Sequence, residues 1–301
     1  MNKAEPKQAI NGILLVNKPQ GLSSNTLLQH VKRLFNAQKA GHTGSLDPLA
    51  TGMLPICFGE ATKISQFLLD ADKCYEATGL LGIKTNTADA MGEIIESTDS
   101  FNVTEAQLLE VINSFKGTTP QIPSMFSALK FKGKPLYKYA RDGITIEREA
   151  RDITIHELEL KRFNGKEFEI KLSCSKGTYI RNLVEDIGAL LGVGAHVTQL
   201  HRLSTAGFDS EAMYSLEDLE KKTLTELNAC LLPTDRAVDY YPQVNLKVDE
   251  TMALRQGKAI KITKDDELEG CVRLYDEKKE FIGLGLLDSV GRLIVKRLFA
   301  F

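Results

Sequence analysis

Hydrophobic residues recur along this 301-residue chain in two patterns, one typical of strands and the other of helices. Short apolar runs and apolar–polar alternation predict β-strands, because successive side chains of a strand point to opposite faces. This pattern predicts strands over 10–16, 73–81, 153–160, 168–174, 272–275, 281–287 and 292–298. Spacings of three and four residues predict helices. They occur after Ser23 or Ser24, around 62–69, after Thr104, from Ile180 and near 215–227.

The helix predicted from Ile180 carries its apolar residues on one stripe, and Arg181 lies off that stripe in the first turn. The positive end of the helix dipole disfavours a cation there by about 0.3–1 kcal/mol, a cost that solvent largely screens. The arginine is therefore either solvated or paired with an anion. If it is paired, we expect Asp47 to be the carboxylate.

A glycine-punctuated segment, 41–54, carries Asp47 near its centre. Glycine permits backbone angles that other residues avoid, and Pro48 restricts Asp47 to extended geometry. The segment is therefore poorly suited to a helix and well suited to presenting one carboxylate at a fixed angle. An Asp-Pro pair in isolation is more often an ordinary turn, so a functional interpretation depends on the rest of the chain.

A basic segment lies between 124 and 141, with five lysine or arginine residues and no acidic residue. Aromatic residues are interleaved with these cations, at Phe126, Phe131, Tyr137 and Tyr139. Such a segment is either a solvated loop or an arm that binds phosphates and stacks on bases. We define 124–151 as the basic arm.

Composition limits the classes of protein that fit. The chain is 43% hydrophobic and 26% charged, as in globular proteins, and its net charge of −2 argues against a uniformly basic coat without excluding a local basic surface. Its cysteines and histidines are scattered, without a Cys-x-x-Cys pair or a zinc-ligand cluster. We expect free thiols in a reducing cytoplasm, no metal and no membrane span. Prolines at 233 and 242 favour two domains, 1–240 and a small β-rich 241–301.

Four stretches occur together in a fixed order. They are Lys18-Pro19-Gln20-Gly21-Leu22-Ser23, the segment 41–54, Tyr75 with Leu81-Gly82 and Asp89, and Ser175-Lys176-Gly177-Thr178-Tyr179-Ile180-Arg181. In this order they resemble the TruB family of bacterial tRNA pseudouridine-55 synthases, over 12–203. The C-terminal strands resemble the small PUA-type RNA-binding domain of that family more weakly. The resemblance implies an α+β fold, in which a mixed, mainly antiparallel sheet flanked by helices precedes a PUA-like domain.

The resemblance also implies an activity, the isomerisation of uridine 55 to pseudouridine in the T loop of tRNA. The base is flipped out, cut from its ribose and rejoined through C5. Because no redox step occurs and no group comes from outside, no cofactor and no metal are implied. The implied partner is the T arm of tRNA, and a cytoplasmic monomer without an obligate protein partner suffices.

Individual residues take roles by the same resemblance. Asp47 is the implied nucleophile, Arg181 pairs with it, and Tyr75 stacks on the target base and assists removal of the C5 proton. The other residues implied to bind substrate are His42, which displaces the base from its stack, Tyr179 and Leu200, which line the uracil pocket, and Lys18 and Lys63, which support the loop or contact RNA. One departure is His201, where the family usually carries an arginine; it affects one RNA contact and not the chemistry.

Two other functions fit parts of the pattern. A non-catalytic RNA-binding or RNA-folding protein would use the same basic arm and be indifferent to Asp47. A glycoside-type hydrolase would need a second carboxylate on a comparable loop. Asp89 is the nearest candidate for that carboxylate, and we interpret it as structural.

Overall fold

A computed structural model describes residues 6–209, 211–263 and 268–300. Its strands are β1 (Gly12–Lys18), β2 (Ala40–His42), β3 (Thr51–Phe58), β4 (Lys73–Leu81), β5 (Ile83–Thr85), β6 (Ile94–Ser97), β7 (Gly117–Gln121), β8 (Lys130–Phe131), β9 (Lys134–Pro135), β10 (Arg151–Phe163), β11 (Glu167–Cys174), β12 (Ala195–Thr205), β13 (Gln243–Asn245), β14 (Ile260–Lys261), β15 (Gly270–Tyr275), β16 (Phe281–Leu287) and β17 (Arg292–Leu298). Its helices are α1 (Ser24–Leu34), α2 (Ser65–Asp70), α3 (Glu105–Ser114), α4 (Leu136–Arg141), α5 (Ile180–Leu190), α6 (Leu216–Glu220), α7 (Leu224–Ala229) and α8 (Val248–Arg255), with 3₁₀ turns at Gly59–Ile64 and Thr234–Val238.

An eight-stranded sheet runs in the order β1-β3-β12-β4-β11-β10-β7, with β2 paired to β3. Its neighbouring strands are antiparallel except β3 and β12. The mainly antiparallel sheet expected from the sequence is confirmed. β12 lies between β3, which follows the Asp47 segment, and β4, which carries Tyr75. This order brings three distant parts of the chain to one place.

β1 is buried on both faces, which explains its continuous apolar run. Leu14 and Val16 belong to the main core beneath α1 and α5. Ile13 and Leu15 belong to a second cluster, which also contains Phe299 of the C-terminal segment. That cluster joins the large sheet to a five-stranded sheet of order β13-β15-β16-β17-β14.

The bounds predicted for β4, from alternation, and for β16 and β17, from apolar runs between polar turns, are those of the structure. The first strand instead covers Gly12–Lys18, because its register against β3 runs from Gly12 opposite Phe58 to Lys18 opposite Gly52. The single helix predicted near 215–227 is wrong. It is divided into α6 and α7, since Thr223 begins a new helix with a capping box to Glu226.

The domain boundary predicted near 240 stays a prediction. The five-stranded sheet is built from residues between Gln243 and Leu298, yet its apolar residues share a cluster with β1. Within the described residues, no helix has the length and hydropathy needed to cross a membrane.

Candidate active site

Asp47 lies in the loop between β2 and β3, and earlier parts of the chain hold this loop on both sides of the carboxylate. The Ser24 hydroxyl accepts a hydrogen bond from the N–H of Leu46 at 2.8 Å and donates to its carbonyl at 2.9 Å. Beyond the carboxylate, Nζ of Lys18 donates to the carbonyl of Ala50 at 2.7 Å. The Asp47 side chain between these anchors is 39% exposed. A fixed loop therefore presents the carboxylate with part of its surface open to solvent.

Lys18 is fully buried at the end of β1, although a lysine in this position is more often solvated. Its ammonium also donates to the carbonyl of Pro19 at 2.9 Å. Burial lowers the pKa of Lys18 to about 8, and the nearby charge of Asp47 opposes that shift. Of the two roles implied for Lys18, loop support or RNA contact, its contacts in the structure are with the loop.

Arg181 occupies the first turn of α5, and its side chain is only 4% exposed. Its Nε lies 2.8 Å from Oδ2 of Asp47, so the expected ion pair is present. Nη1 and Nη2 donate to the carbonyls of Thr87 and Phe126, each at 2.8 Å. Oδ2 of Asp89 lies 3.6 Å from Nη1, so Asp89 adds a second carboxylate to this arginine. The guanidinium thus connects three loops.

The charge state of Asp47 is set by opposing neighbours. Burial by the surrounding protein raises the pKa of its carboxyl, while Arg181 opposes that shift by stabilising the carboxylate. The Asp89 charge adds to the upward shift, and Lys18 opposes it. The exposed fraction of the side chain lets solvent weaken the effect of burial, so the paired cation is important for keeping Asp47 ionised.

Tyr75 and Leu200 lie on the adjacent strands β4 and β12. Leu200 is opposite Ala77, two residues from Tyr75, so Tyr75 and Leu200 share one face of the sheet. Both are at least nine-tenths buried. Burial raises the pKa of the Tyr75 hydroxyl, the charge of Arg202 opposes that shift, and Asp47 makes a smaller upward contribution.

Tyr179 comes directly before α5 and is fixed through its backbone. Its N–H donates to Oε1 of Gln121 at 2.8 Å, and Nε2 of Gln121 donates to its carbonyl at 3.1 Å. Burial raises the pKa of its hydroxyl, and the charge of Asp47 contributes to the same shift. The backbone of this predicted pocket residue is therefore fixed in place, and Gln121 is a positioning residue that the sequence did not single out.

His42 ends β2, a short distance before Asp47. Its Nδ1 is buried and has no hydrogen-bond partner among the described residues. Burial lowers the pKa of the imidazole, with a smaller contribution from Arg202. The described residues contain no group of three or more His, Cys, Asp or Glu side chains placed to hold a metal ion.

Family models match successive parts of the chain. "TruB family pseudouridylate synthase (N terminal domain)" matches 32–180, "tRNA pseudouridylate synthase B C-terminal domain" matches 181–239, and "Pseudouridine synthase II TruB, C-terminal" matches 242–299. A "tRNA pseudouridine synthase B" of Legionella pneumophila (strain Lens) is 56% identical over 302 residues, covering 100% of this chain and 99% of that protein. The chain belongs to the TruB family of pseudouridylate synthases.

A second relative agrees with this assignment, and a solved structure has a similar fold. A "tRNA pseudouridine synthase B" of Actinobacillus pleuropneumoniae serotype 5b (strain L20) is 53% identical, over 93% of both chains. The structure titled "Crystal Structure of a Cbf5-Nop10-Gar1 Complex" matches with a TM-score of 0.72 and 24% identity, covering 96% of this chain and 84% of that chain. At this identity the likeness shows the fold alone, and it confirms the mixed α+β class.

His201, which stands where the TruB family usually carries an arginine, lies on β12. Nδ1 of His201 is 2.8 Å from Oγ1 of Thr51, beside the parallel pairing of β12 and β3. The next residue, Arg202, is only 1% exposed and was not singled out from the sequence. Its alternation with Leu200 on β12 was the available signal, because residues two apart share a face of a strand.

Lys63 is not brought to Asp47, so the structure does not support its assignment as loop support. Its Nζ lies 2.5 Å from Oε2 of Glu60 and donates to the carbonyl of Leu298 at 3.2 Å. The N–H of Ala300 donates to the same Glu60 oxygen at 2.6 Å. Lys63 therefore connects the large sheet with the end of β17, and an RNA contact by it stays a prediction.

The basic arm carries the short hairpin β8–β9 and the helix α4. Nζ of Lys134 lies 2.6 Å from Asp142 and 4.6 Å from the ring centre of Tyr139, which holds the hairpin against α4. At its beginning the arm meets the site through the Phe126 carbonyl on Arg181. The arm is thus connected directly to the partner of Asp47.

Proposed function

We propose that this protein isomerises uridine 55 to pseudouridine in the T loop of tRNA, with Asp47 as the nucleophile. The observation that carries this proposal is the 2.8 Å ion pair between Asp47 and Arg181, whose carboxylate is 39% exposed while its cation is buried. The relatives named tRNA pseudouridine synthase B support tRNA as the substrate.

The reaction is balanced within one nucleotide. The bond from C1′ to N1 breaks, a bond from C1′ to C5 forms, C5 loses a proton and N1 gains one. Asp47 attacks C1′ or C6, or first takes the 2′ proton of the ribose. A covalent step by a carboxylate divides one difficult exchange into easier ones, and the guanidinium of Arg181 favours the ionised form that this step requires.

The pocket must hold the uracil while it is detached. Extracting the base from its stack costs a few kcal/mol, which contacts with aromatic side chains offset. We assign base stacking and help with C5 proton removal to Tyr75, the pocket walls to Tyr179 and Leu200, and displacement of the base to His42. Exclusion of water from the detached uracil prevents formation of an abasic site.

Binding of the T arm extends beyond this pocket. We assign phosphate contacts to the basic arm and to the 241–301 domain, which predicts strong dependence of tRNA affinity on salt concentration. The Phe126 carbonyl on Arg181 joins the arm to the site. A cytoplasmic monomer is sufficient for this function.

The test is release of tritium from C5 of a T-arm stem-loop labelled only at uridine 55. Wild type is expected to release tritium, whereas Asp47→Ala binds the RNA and releases none. A loss of about 10⁴-fold corresponds to roughly 5.5 kcal/mol. Asp72→Ala is the matched control, because Asp72 is exposed and its ion pair with His156 lies on the surface.

Each outcome separates the candidate functions. Retained turnover by Asp47→Ala rejects the nucleophile assignment. Tight binding without tritium release by wild type supports the non-catalytic RNA-binding function. Labelled uracil set free in place of pseudouridine indicates a hydrolase.

A further inference from the structure

Arg202 holds the two sides of the Asp47 loop. Its Nη2 donates to the carbonyl of Gly44 at 2.9 Å, before Asp47, and its Nε donates to the carbonyl of Met53 at 2.7 Å, after it. The arginine is 1% exposed. Because the guanidinium is planar and rigid, these two bonds fix the separation of the loop's ends.

The same side chain reaches Tyr75. Arg202 and Tyr75 are directly opposite in the antiparallel pairing of β12 with β4. Side chains of such a pair lie side by side on one face of the sheet, and the charge of Arg202 acts on the pKa of the Tyr75 hydroxyl against the larger effect of burial. One buried cation therefore contacts both the loop that carries the proposed nucleophile and the aromatic residue proposed to face the base.

The backbone of the loop is adapted to this arginine. Gly44 has φ +68°, and a Cβ placed there would lie 3.2 Å from Nη1 of Arg202. Gly52 has φ +99°, and a Cβ there would collide with the backbone of Arg202. At Gly52 the close approach of Arg202 therefore requires glycine, whereas at Gly44 the positive φ favours glycine and the contact with Arg202 is tight.

The charge of Arg202 is not neutralised by a carboxylate. Among residues 6–209, 211–263 and 268–300, no Asp or Glu oxygen lies within 4.0 Å of its guanidinium nitrogens. Its charge contributes to lowering the pKa values of Lys18, His42 and Lys73, behind the larger effect of burial on each. A buried cation satisfied by carbonyls is costly, and an apolar residue would fill the same space without that cost.

We propose that Arg202 is a positioning residue for the reaction, which sets the placement of Asp47 relative to Tyr75 by bonding to both sides of the Asp47 loop and lying beside Tyr75 on the adjacent strand. The proposal rests on the proposed function, since it assigns Asp47 and Tyr75 to the same chemical step. Arg202 does not touch substrate. It acts through Tyr75 and through the carbonyls of Gly44 and Met53.

The first test is a double-mutant cycle with Arg202→Lys and Tyr75→Phe, using the full chain and the T-arm stem-loop. Lysine keeps the charge but lacks the planar fork that bonds the carbonyls of Gly44 and Met53 together. Arg202→Lys is expected to lower the single-turnover rate by about 10²-fold, as a misplacement of about 1 Å does, and to leave the Kd for the stem-loop nearly unchanged. In the Tyr75→Phe background, Arg202→Lys is expected to lower the single-turnover rate by a much smaller factor, because the two residues act together.

Arg236→Lys is the matched control. Arg236 also donates to a backbone carbonyl, that of Gly207 at 2.7 Å, and it packs over Phe208 away from the site. The control is expected to lower thermal stability without changing the single-turnover rate. Equal losses of rate in both variants, or rate losses for Arg202→Lys and Tyr75→Phe that multiply independently, would overturn the positioning role.

A second measurement does not need turnover. Difluorotyrosine introduced at position 75 titrates at lower pH than tyrosine, and its absorbance reports the phenolate. Replacing Arg202 by methionine is expected to move this titration to higher pH, because the cation that favours the phenolate is removed. An unchanged titration overturns the contact. If wild type shows no turnover, the proposed function fails while this titration still decides whether Arg202 acts on Tyr75.

If the Arg202 variants do not fold, Gly44→Ala disturbs the same contact from the loop, because its Cβ would lie against the guanidinium of Arg202. It is expected to lower the rate and to show the same non-additivity with Tyr75→Phe. Additive losses in this cycle count against the proposal.

Discussion

The carboxylate of Asp47 and the guanidinium of Arg181 are 2.8 Å apart, but the first is 39% exposed and the second 4%. Carbonyls of Thr87 and Phe126 fix the buried partner. The Asp47 carboxylate is therefore bound by a cation that is itself held in place, while its other side is open to solvent. This asymmetry makes the ionisation of Asp47 sensitive to its neighbours.

Replacing Arg181 by methionine is expected to raise the pKa of Asp47 further, because burial still raises it and the opposing cation is gone. The acid limb of the profile of kcat/KM against pH then moves to higher pH, and activity lost at neutral pH partly returns as the pH rises. Removing one partner of a fully buried ion pair lowers the free energy of unfolding by about 3–5 kcal/mol. The loss here is expected to be smaller, since Asp47 is partly solvated. Arg181→Lys, which keeps a charge, serves as the control; an acid limb that moves by the same amount in both variants contradicts the prediction.

Asp89→Asn is expected to move the acid limb the other way. The charge of Asp89 is one of the contributions that raise the pKa of Asp47, after burial, so removing it lowers that pKa. The maximal rate falls by up to about 10²-fold, because Arg181 loses its second carboxylate and with it some of its orientation. An acid limb at unchanged or higher pH would show that Asp89 does not act on Asp47.

Lys18→Met is expected to change how stability depends on pH. The pKa of Lys18 falls from 10.5 to about 8 on burial. Between these values the unfolded chain binds more protons, so the free energy of unfolding contributed by this group rises with pH over that window. Urea unfolding between pH 7 and 10 is expected to show a smaller rise in Lys18→Met than in wild type. The variant also leaves the Ala50 carbonyl without its lysine donor, at a cost of about 1–3 kcal/mol. Equal pH slopes would place Lys18 in solvent.

Lys63→Met is expected to loosen the end of β17. The lost bond to the Leu298 carbonyl and the lost ion pair to Glu60 predict about tenfold faster amide hydrogen exchange there, or about 1.4 kcal/mol. Lys84→Met is the control, because its ion pair with Glu96 at 2.9 Å joins β5 to β6 instead. An unchanged rate of amide hydrogen exchange in β17 would show that Lys63 does not stabilise the end of that strand.

Local patterns predicted much of the fold. The bounds of β4 follow from alternation, those of β16 and β17 from the polar turns that flank them, and the capping box at Thr104 marks the beginning of α3. The division of 215–227 into two helices was missed, because the capping box at Thr223 lies inside an otherwise continuous helical spacing.

The site was predicted only in part. The dipole argument favoured an anion beside Arg181, and the ion pair with Asp47 is present. The burial of Lys18 and Arg202 was not predicted, because lysine and arginine within a strand are ordinarily assigned to its solvent side. The contact between Lys63 and Leu298 joins residues far apart in sequence, and no local pattern reports such a contact.

The second apolar cluster bears on how this chain can be divided. Ile13 and Leu15 on the outer face of β1 pack with Phe281 and Phe299 rather than with the main core. A truncation after residue 240 would remove Phe281 and Phe299 from this cluster and expose part of that face of β1 to water. We therefore expect the truncated chain to be less stable and more prone to aggregation than the full chain.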